Sequence, residues 1–193
     1  MNPFKSVTVT IVLGFVIAVV FAALMKGGFV LWSMTVWLHV FFGIIWVGLL
    51  YYFNFIQTPA AAAAAADTGG PGPAAINKYI TPPALFWFRW AALATWLTGA
   101  AALEAAGWRI SNAFTLQEGA RIIGIGAWLG TIMLINVWVV IWPNQKKILG
   151  MVEATAEEIA RAKTVALTAS RINTMLSIPM LMCMVGQMHG LPL

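Results

Sequence analysis

Long, nearly unbroken apolar runs alternate along this chain with short stretches in which charged residues, Gly and Pro collect. A bilayer-spanning helix needs about 20 apolar residues. Runs near 7–25, 30–56, 84–106, 120–142 and 172–189 fall in that range. Their ends carry breakers: Lys26-Gly27-Gly28 after the first, Gln57-Thr58-Pro59 after the second and Pro143 after the fourth, while Pro82-Pro83 precede the third. Proline is tolerated at a helix start, so the third run reads as a helix entered through its prolines. The second run is long enough to tilt or protrude from the membrane.

The connections differ in character. Residues 58–82 hold an alanine run and then Asp67-Thr68-Gly69-Gly70-Pro71-Gly72-Pro73, a loop with room for one short helical stretch. In the next long connection, Glu153, Glu157, Glu158, Arg161 and Lys163 stand at spacings that suit one helix. That pattern predicts a short amphipathic helix near 150–165, separate from the last span. No repeat and no strand pattern is present in the sequence. The expectation is a single-domain, all-α integral membrane protein over 1–193, built as a bundle of five transmembrane helices.

Composition agrees: 61% of the 193 residues are hydrophobic and 9% charged, against about a quarter charged in soluble domains. The mean hydropathy is +0.87. The lipid bilayer is therefore the first partner. The net charge of +5 includes no basic tract of the kind that binds nucleic acid. The lone cysteine, Cys183, excludes an intrachain disulfide. The apolar run after Lys5 is long for a signal peptide and reads as a retained first helix. With the N-terminus cytoplasmic, Lys5, Lys78, Arg89, Lys146, Lys147, Arg161, Lys163 and Arg171 fall inside, and Lys26, Arg109 and Arg121 outside. This split obeys the positive-inside rule and puts the C-terminus outside.

The same topology sorts the polar residues by depth. His39 and His189, the only histidines, fall in the outer leaflet on different helices. Two imidazoles at like depth are the minimum for bis-histidine haem b, and Trp37, Phe41, Phe42 and Trp46 could wall a porphyrin. From spacing alone the simpler account is that His39 is a helix-packing histidine and His189 an interfacial one. Met180, Met182, Cys183 and Met184 are soft ligands that suit copper(I). They point in several directions around a helix, and methionine is an ordinary gap-filler, so copper is not expected. Near the cytoplasmic face gather Asn54, Gln57, Arg89, Asn136, Asn144, Gln145, Arg171 and Asn173. Arginine forks and amides could bind a planar polar anion, as a small carrier would require. Anchoring at lipid phosphates also explains the arginines. Gly126 and Gly130 allow close helix approach, in the bundle or with a partner. No phosphate-binding loop, dinucleotide fingerprint, nucleophile constellation or Cys-x-x-Cys-His motif is present.

Four blocks resemble the urate oxidase (urate hydroxylase) N-terminal membrane domain family, in order over about 36–190. They are His39 to Gln57 (HVFFGIIWVGLLYYFNFIQ), Trp87-Phe88-Arg89-Trp90, Asn136 to Lys147 (NVWVVIWPNQKK) and Ser170 to Met180 (SRINTMLSIPM). The resemblance implies a multi-pass protein of a bacterial inner membrane. Longer members are assigned to conversion of urate to 5-hydroxyisourate and carry a cytochrome c domain. This chain is similar to a short form without that domain, which implies electron transfer to a separate cytochrome c. It also implies haem b or a metal at His39 and His189 with Trp46 beside it. Arg89, Asn136, Asn144, Gln145, Arg171 and Asn173 become substrate-binding candidates. If the chain is an enzyme, the resemblance makes it a urate hydroxylase-like oxidoreductase. The competing expectation is a non-catalytic accessory subunit of a larger respiratory or photosynthetic complex.

Overall fold

The computed structural model describes residues 3–25 and 30–191. Lys26-Gly27-Gly28, expected to end the first helix, and Lys26 in the charge count lie outside the described residues. Among those described, all regular structure is helical. α1 is Val7–Leu24, α2 Leu31–Tyr52, α3 Thr58–Ala66, α4 Thr81–Ala105, α5 Ile110–Phe114, α6 Arg121–Ile135, α7 Trp142–Ile148 and α8 Ala156–His189. Among the described residues, three helices are long and apolar enough to cross a membrane: Val7–Leu24, Leu31–Ala66 and Arg121–Ile148. Five were expected; α4, with Arg89, and α8, with Arg171 and Asn173, fall outside that group.

Two of these spans run through residues read as breakers, and both do so by the same device. Wide π turns at Phe53–Gln57, Ile76–Ile80 and Asn136–Ile141 join what precedes them to α3, α4 and α7. Each is followed within three residues by proline: Pro59, Pro82-Pro83 or Pro143. Proline cannot donate to the carbonyl four residues back, and its ring crowds that carbonyl. A π turn moves the ladder to the carbonyl five back, so Thr58 N–H reaches Phe53 O, Thr81 N–H reaches Ile76 O and Trp142 N–H reaches Val137 O. The chain therefore stays helical past Pro59 to Ala66 and past Pro143 to Ile148. The separate helix expected near 150–165 is instead the first part of α8. Thr155 starts it with a capping box: Thr155 Oγ1 accepts from Glu158 N–H (3.2 Å), and Glu158 Oε2 accepts from Thr155 N–H (2.9 Å). Neither Gly nor Pro follows until Pro179, so nothing interrupts the helix where a break was expected.

α2, α4, α6 and α8 form a bundle. α2 packs along α4 and α6 along α8. Trp96 Nε1 donates to Thr131 Oγ1 (2.8 Å) between α4 and α6. Tyr51 Oη pairs with Ser177 Oγ (2.9 Å) between α2 and α8. Lipid gives apolar side chains little reason to prefer one another, so helix contact in a membrane relies on small residues and polar pairs. α8 fits this: its buried stripe is Ala162, Ala166, Ala169, Asn173, Ser177, Met180, Cys183 and Gly186, spaced by three or four. A Cβ on Gly126 of α6 would meet Cys183 Cβ at 3.0 Å, so this glycine serves contact within the bundle, whereas Gly130 has nothing within 4 Å. α1 stands apart. It has no buried residue and meets α2 through the Phe15 ring against Trp37 and Phe41.

Candidate functional site

The bundle brings its polar residues together at two ends, named outer and inner after the topology expected from the sequence. At the outer end, α2 lies on α4 where both are smallest: Gly43 meets Thr95, and the His39 ring lies against Gly99. A Cβ on Gly99 would stand 2.8 Å from His39 Nδ1 and Cε1, so only glycine leaves this seat. His39 Nδ1 is 2.8 Å from Thr95 O. A carbonyl only accepts, so Nδ1 carries the proton and Nε2 keeps its lone pair. His189, the last residue of α8, is exposed. The Tyr51–Ser177 pair sets the register between α2 and α8: His39 is twelve residues before Tyr51 and His189 twelve after Ser177. At 1.5 Å per residue, both stand roughly 18 Å outward of that pair, along their own helices. Trp46, seven residues inward of His39 and so on the same face, is 2% exposed, and its indole N–H has no partner among the described residues. No group of three or more His, Cys, Asp or Glu able to hold a metal occurs among the described residues.

At the inner end, most of the expected substrate-binding residues are engaged with the protein itself. Asn136 Nδ2 donates to Ala169 O (2.9 Å) and to Asn173 Oδ1 (2.8 Å). Asn173, fully buried, donates onward to Met133 O (3.1 Å). These bonds fasten α8 to the π turn of Asn136–Ile141 and to the last turn of α6. Asn144 Nδ2 donates to Val140 O (2.8 Å) on its own helix. The Arg89 guanidinium lies 3.5 Å above the centroid of the Trp142 ring, a cation–π contact between α4 and α7. Arg171 is exposed. These residues do not converge on one pocket.

Gln145 does line one, a cavity of about 510 Å³ at the inner end, within the usual size of small-ligand sites. Its polar lining also includes Gln57, Asn77, Thr81, Lys163 and Ser170, with Phe53, Leu85, Phe88 and Ile141 among its apolar walls. All three π turns contribute to it, through Phe53 and Gln57, Asn77, and Ile141. Asn77 and Thr81 were hidden in a stretch read as loop, and Lys163 in a charge pattern read as a short amphipathic helix. The signal that could have found the cavity is the recurrence of Pro59, Pro82-Pro83 and Pro143 behind runs otherwise able to continue as helix.

The family model described as urate oxidase N-terminal matches residues 101–192, in agreement with the resemblance read from the sequence. The match runs from the end of α4 through α8 and takes in Asn136, Asn144, Gln145, Arg171, Asn173 and His189; His39, Trp46 and Arg89 precede it. No curated protein and no solved structure matches the chain.

Proposed function

We propose that this chain, related through residues 101–192 to the urate oxidase N-terminal family, is a membrane redox subunit that binds haem b through His39 and His189. The observation that carries the reading is the His39 Nδ1 bond to Thr95 O. A metal-ligating histidine donates its second ring N–H to a carbonyl or carboxylate, which fixes the tautomer and raises the basicity of the ligating nitrogen. His39 has that arrangement, with Nε2 the ligating atom, and the matching depth of His189 supplies the second imidazole. The donor set suits haem b, which would supply one-electron transfer at the outer end of the bundle. The chain's own contributions are to seat the His39 ring at Gly99, to hold its tautomer and to bury Trp46 beneath it. Electrons would leave to a separate cytochrome c, and urate is the substrate that the family suggests.

In this reading α4 and α8 cross the membrane beside the three more apolar helices, giving five spans with the N-terminus in the cytoplasm. Helix packing supports it, because α4 and α8 lie along α2 and α6. So does charge: Lys78, Arg89, Lys146, Lys147, Arg161, Lys163 and Arg171 lie toward one end, and Arg109 and Arg121 toward the other. A Lys163→Cys variant should react with an impermeant maleimide only from the cytoplasmic side; reaction from outside would reverse the topology.

The absorption spectrum of purified protein tests the cofactor. A Soret band is expected, reduced in His39→Ala and His189→Ala. A colourless, iron-free preparation would refute it. One observation favours a second reading, an accessory subunit of a larger respiratory or photosynthetic complex: α1 has no buried residue and, beyond the Phe15 contact with α2, leaves its surface to a neighbour. Migration of the solubilised protein at monomer mass without co-purifying chains would count against that alternative.

A further inference from the structure

The depth of the inner cavity follows from the helices that line it. Arg121–Ile148 is a span of 28 residues, about 40 Å long by the α-helical rise, which matches a bilayer with both head-group layers included. Gln145 and Ile148 line the cavity from the end of that span, and Leu149 from just beyond it. The cavity therefore stands at the level of the lipid head groups and not in the hydrocarbon core. Its lining divides by chemistry. Lys163, exposed to solvent, is the one charged residue, and no carboxylate stands there among the described residues. Gln145 and Asn77 bring side-chain amides that make no hydrogen bond among the described residues. The Ser170 hydroxyl accepts from Asn54 Nδ2 (2.8 Å) and keeps its own proton to give. Beside these donors lie Ile148, Leu149, Ile159 and Leu167, each only partly buried. One cation and several free donors without an anion suit a phosphate. Apolar walls beside them suit the fatty esters that a lipid phosphate carries.

We infer that this cavity holds the phosphate and glycerol of an anionic phospholipid from the adjoining leaflet. Lys163 pairs with the phosphate, and the Gln145 and Asn77 amides donate to its oxygens. The glyceryl esters rest on Ile148, Leu149, Ile159 and Leu167, and the acyl chains run down the outside of the bundle. Basic pockets between membrane helices at the cytoplasmic side commonly take such head groups. Bound there, the lipid joins α3, the entry to α4, α7 and α8, all of which line the cavity. Such a link matters because apolar contact alone gives helices in lipid little reason to associate. The inference rests on Arg121–Ile148 crossing the bilayer and is independent of haem at His39 and His189.

Native mass spectrometry of the full chain in detergent tests the assignment with three probes. Phosphatidylglycerol and phosphatidylcholine of matched chains differ in net charge, and glycerol 3-phosphate carries the phosphate and glycerol without chains. Phosphatidylglycerol should bind at one saturable site about fivefold more tightly than phosphatidylcholine, the effect of one lysine on an anionic lipid. Lys163→Ala should abolish that preference and Lys163→Glu should invert it. Lys163→Arg, and Lys146→Ala outside the cavity, should keep it. Gln145→Leu should weaken both lipids, since both carry the phosphate. Phosphatidylglycerol should also raise the melting temperature of the parent more than that of Lys163→Ala, whose own melting without lipid should match the parent because the residue is exposed. Equal affinity for the two lipids, or a preference that survives both Lys163→Ala and Lys163→Glu, would overturn the proposal. So would displacement of the lipid by equimolar glycerol 3-phosphate, which would mark a site for a soluble anion.

Discussion

At the inner end of the bundle, Asn54, Asn136 and Asn173 spend their amide N–H groups within the bundle: Asn54 reaches Leu50 O on its own helix (2.9 Å) and Ser170 Oγ on α8 (2.8 Å), and the Asn136–Asn173 pair ties the π turn after α6 to α8. At the outer end, His39 makes one bond, to Thr95, and leaves its other ring nitrogen uncommitted. Both regions place polar side chains among apolar helices, where association depends on small residues and polar contacts. The inner asparagines are consumed by assembly, whereas the outer histidine is held in place and left able to ligate. Residue type alone does not separate these roles. The number of bonds left over after packing does.

That contrast can be broken most forcefully at Gly99. Gly99→Val should drive the His39 ring from its seat, cost about 1–3 kcal/mol by overpacking and remove cofactor absorbance along with the Thr95 bond. A variant that keeps both stability and spectrum would mean that the seat is not needed. Next, Asn173→Leu should destabilise by about 1–2 kcal/mol, since buried donors and acceptors lose partners, and should leave the spectrum intact. His39→Leu should do the opposite, costing less stability and losing the colour. Thermal unfolding and absorbance of the two variants side by side give the comparison directly.

Smaller effects lie at the start of α8. Thr155→Ala removes the N-cap and should cost about 1 kcal/mol, read as faster amide exchange over the first turn of α8 with the bundle unaffected. Acid acts on the same cap. The Thr155 backbone N–H, and then Lys147, hold the Glu158 carboxyl below its ordinary value of 4.5. The folded state thus favours the ionised form, so this support is present above that value and is lost as pH falls through the lower folded one. Amide exchange in this turn should be flat from pH 7 to about 5 after correction for intrinsic rates, then rise at lower pH.

Much of the helical pattern could be read from the chain, because apolar runs of this length permit few alternatives. The starts of α1, α2 and α6 fall within one residue of expectation, and both ends of α4 within three. What escaped were the continuations. Pro59 and Pro143 are stop signals in an α-helix, and only the turn preceding each decides whether the helix widens to accommodate it. The division of labour among the polar residues was equally hidden. Asn136, Asn173 and Gln145 are all amides near one membrane face, yet two are packing bonds and one lines a cavity, a difference set by helix rotation. His39 was legible as a candidate, but its tautomer was not, since that depends on the Thr95 carbonyl 56 residues away.

Electron paramagnetic resonance of the oxidised, purified protein tests the two-histidine claim most directly. The account predicts a low-spin ferric signal from bis-histidine haem at one iron per chain, lost or converted to high spin in both His39→Ala and His189→Ala, and unchanged in Asn173→Leu. An iron-free protein, or a low-spin signal that survives His39→Ala, would contradict it.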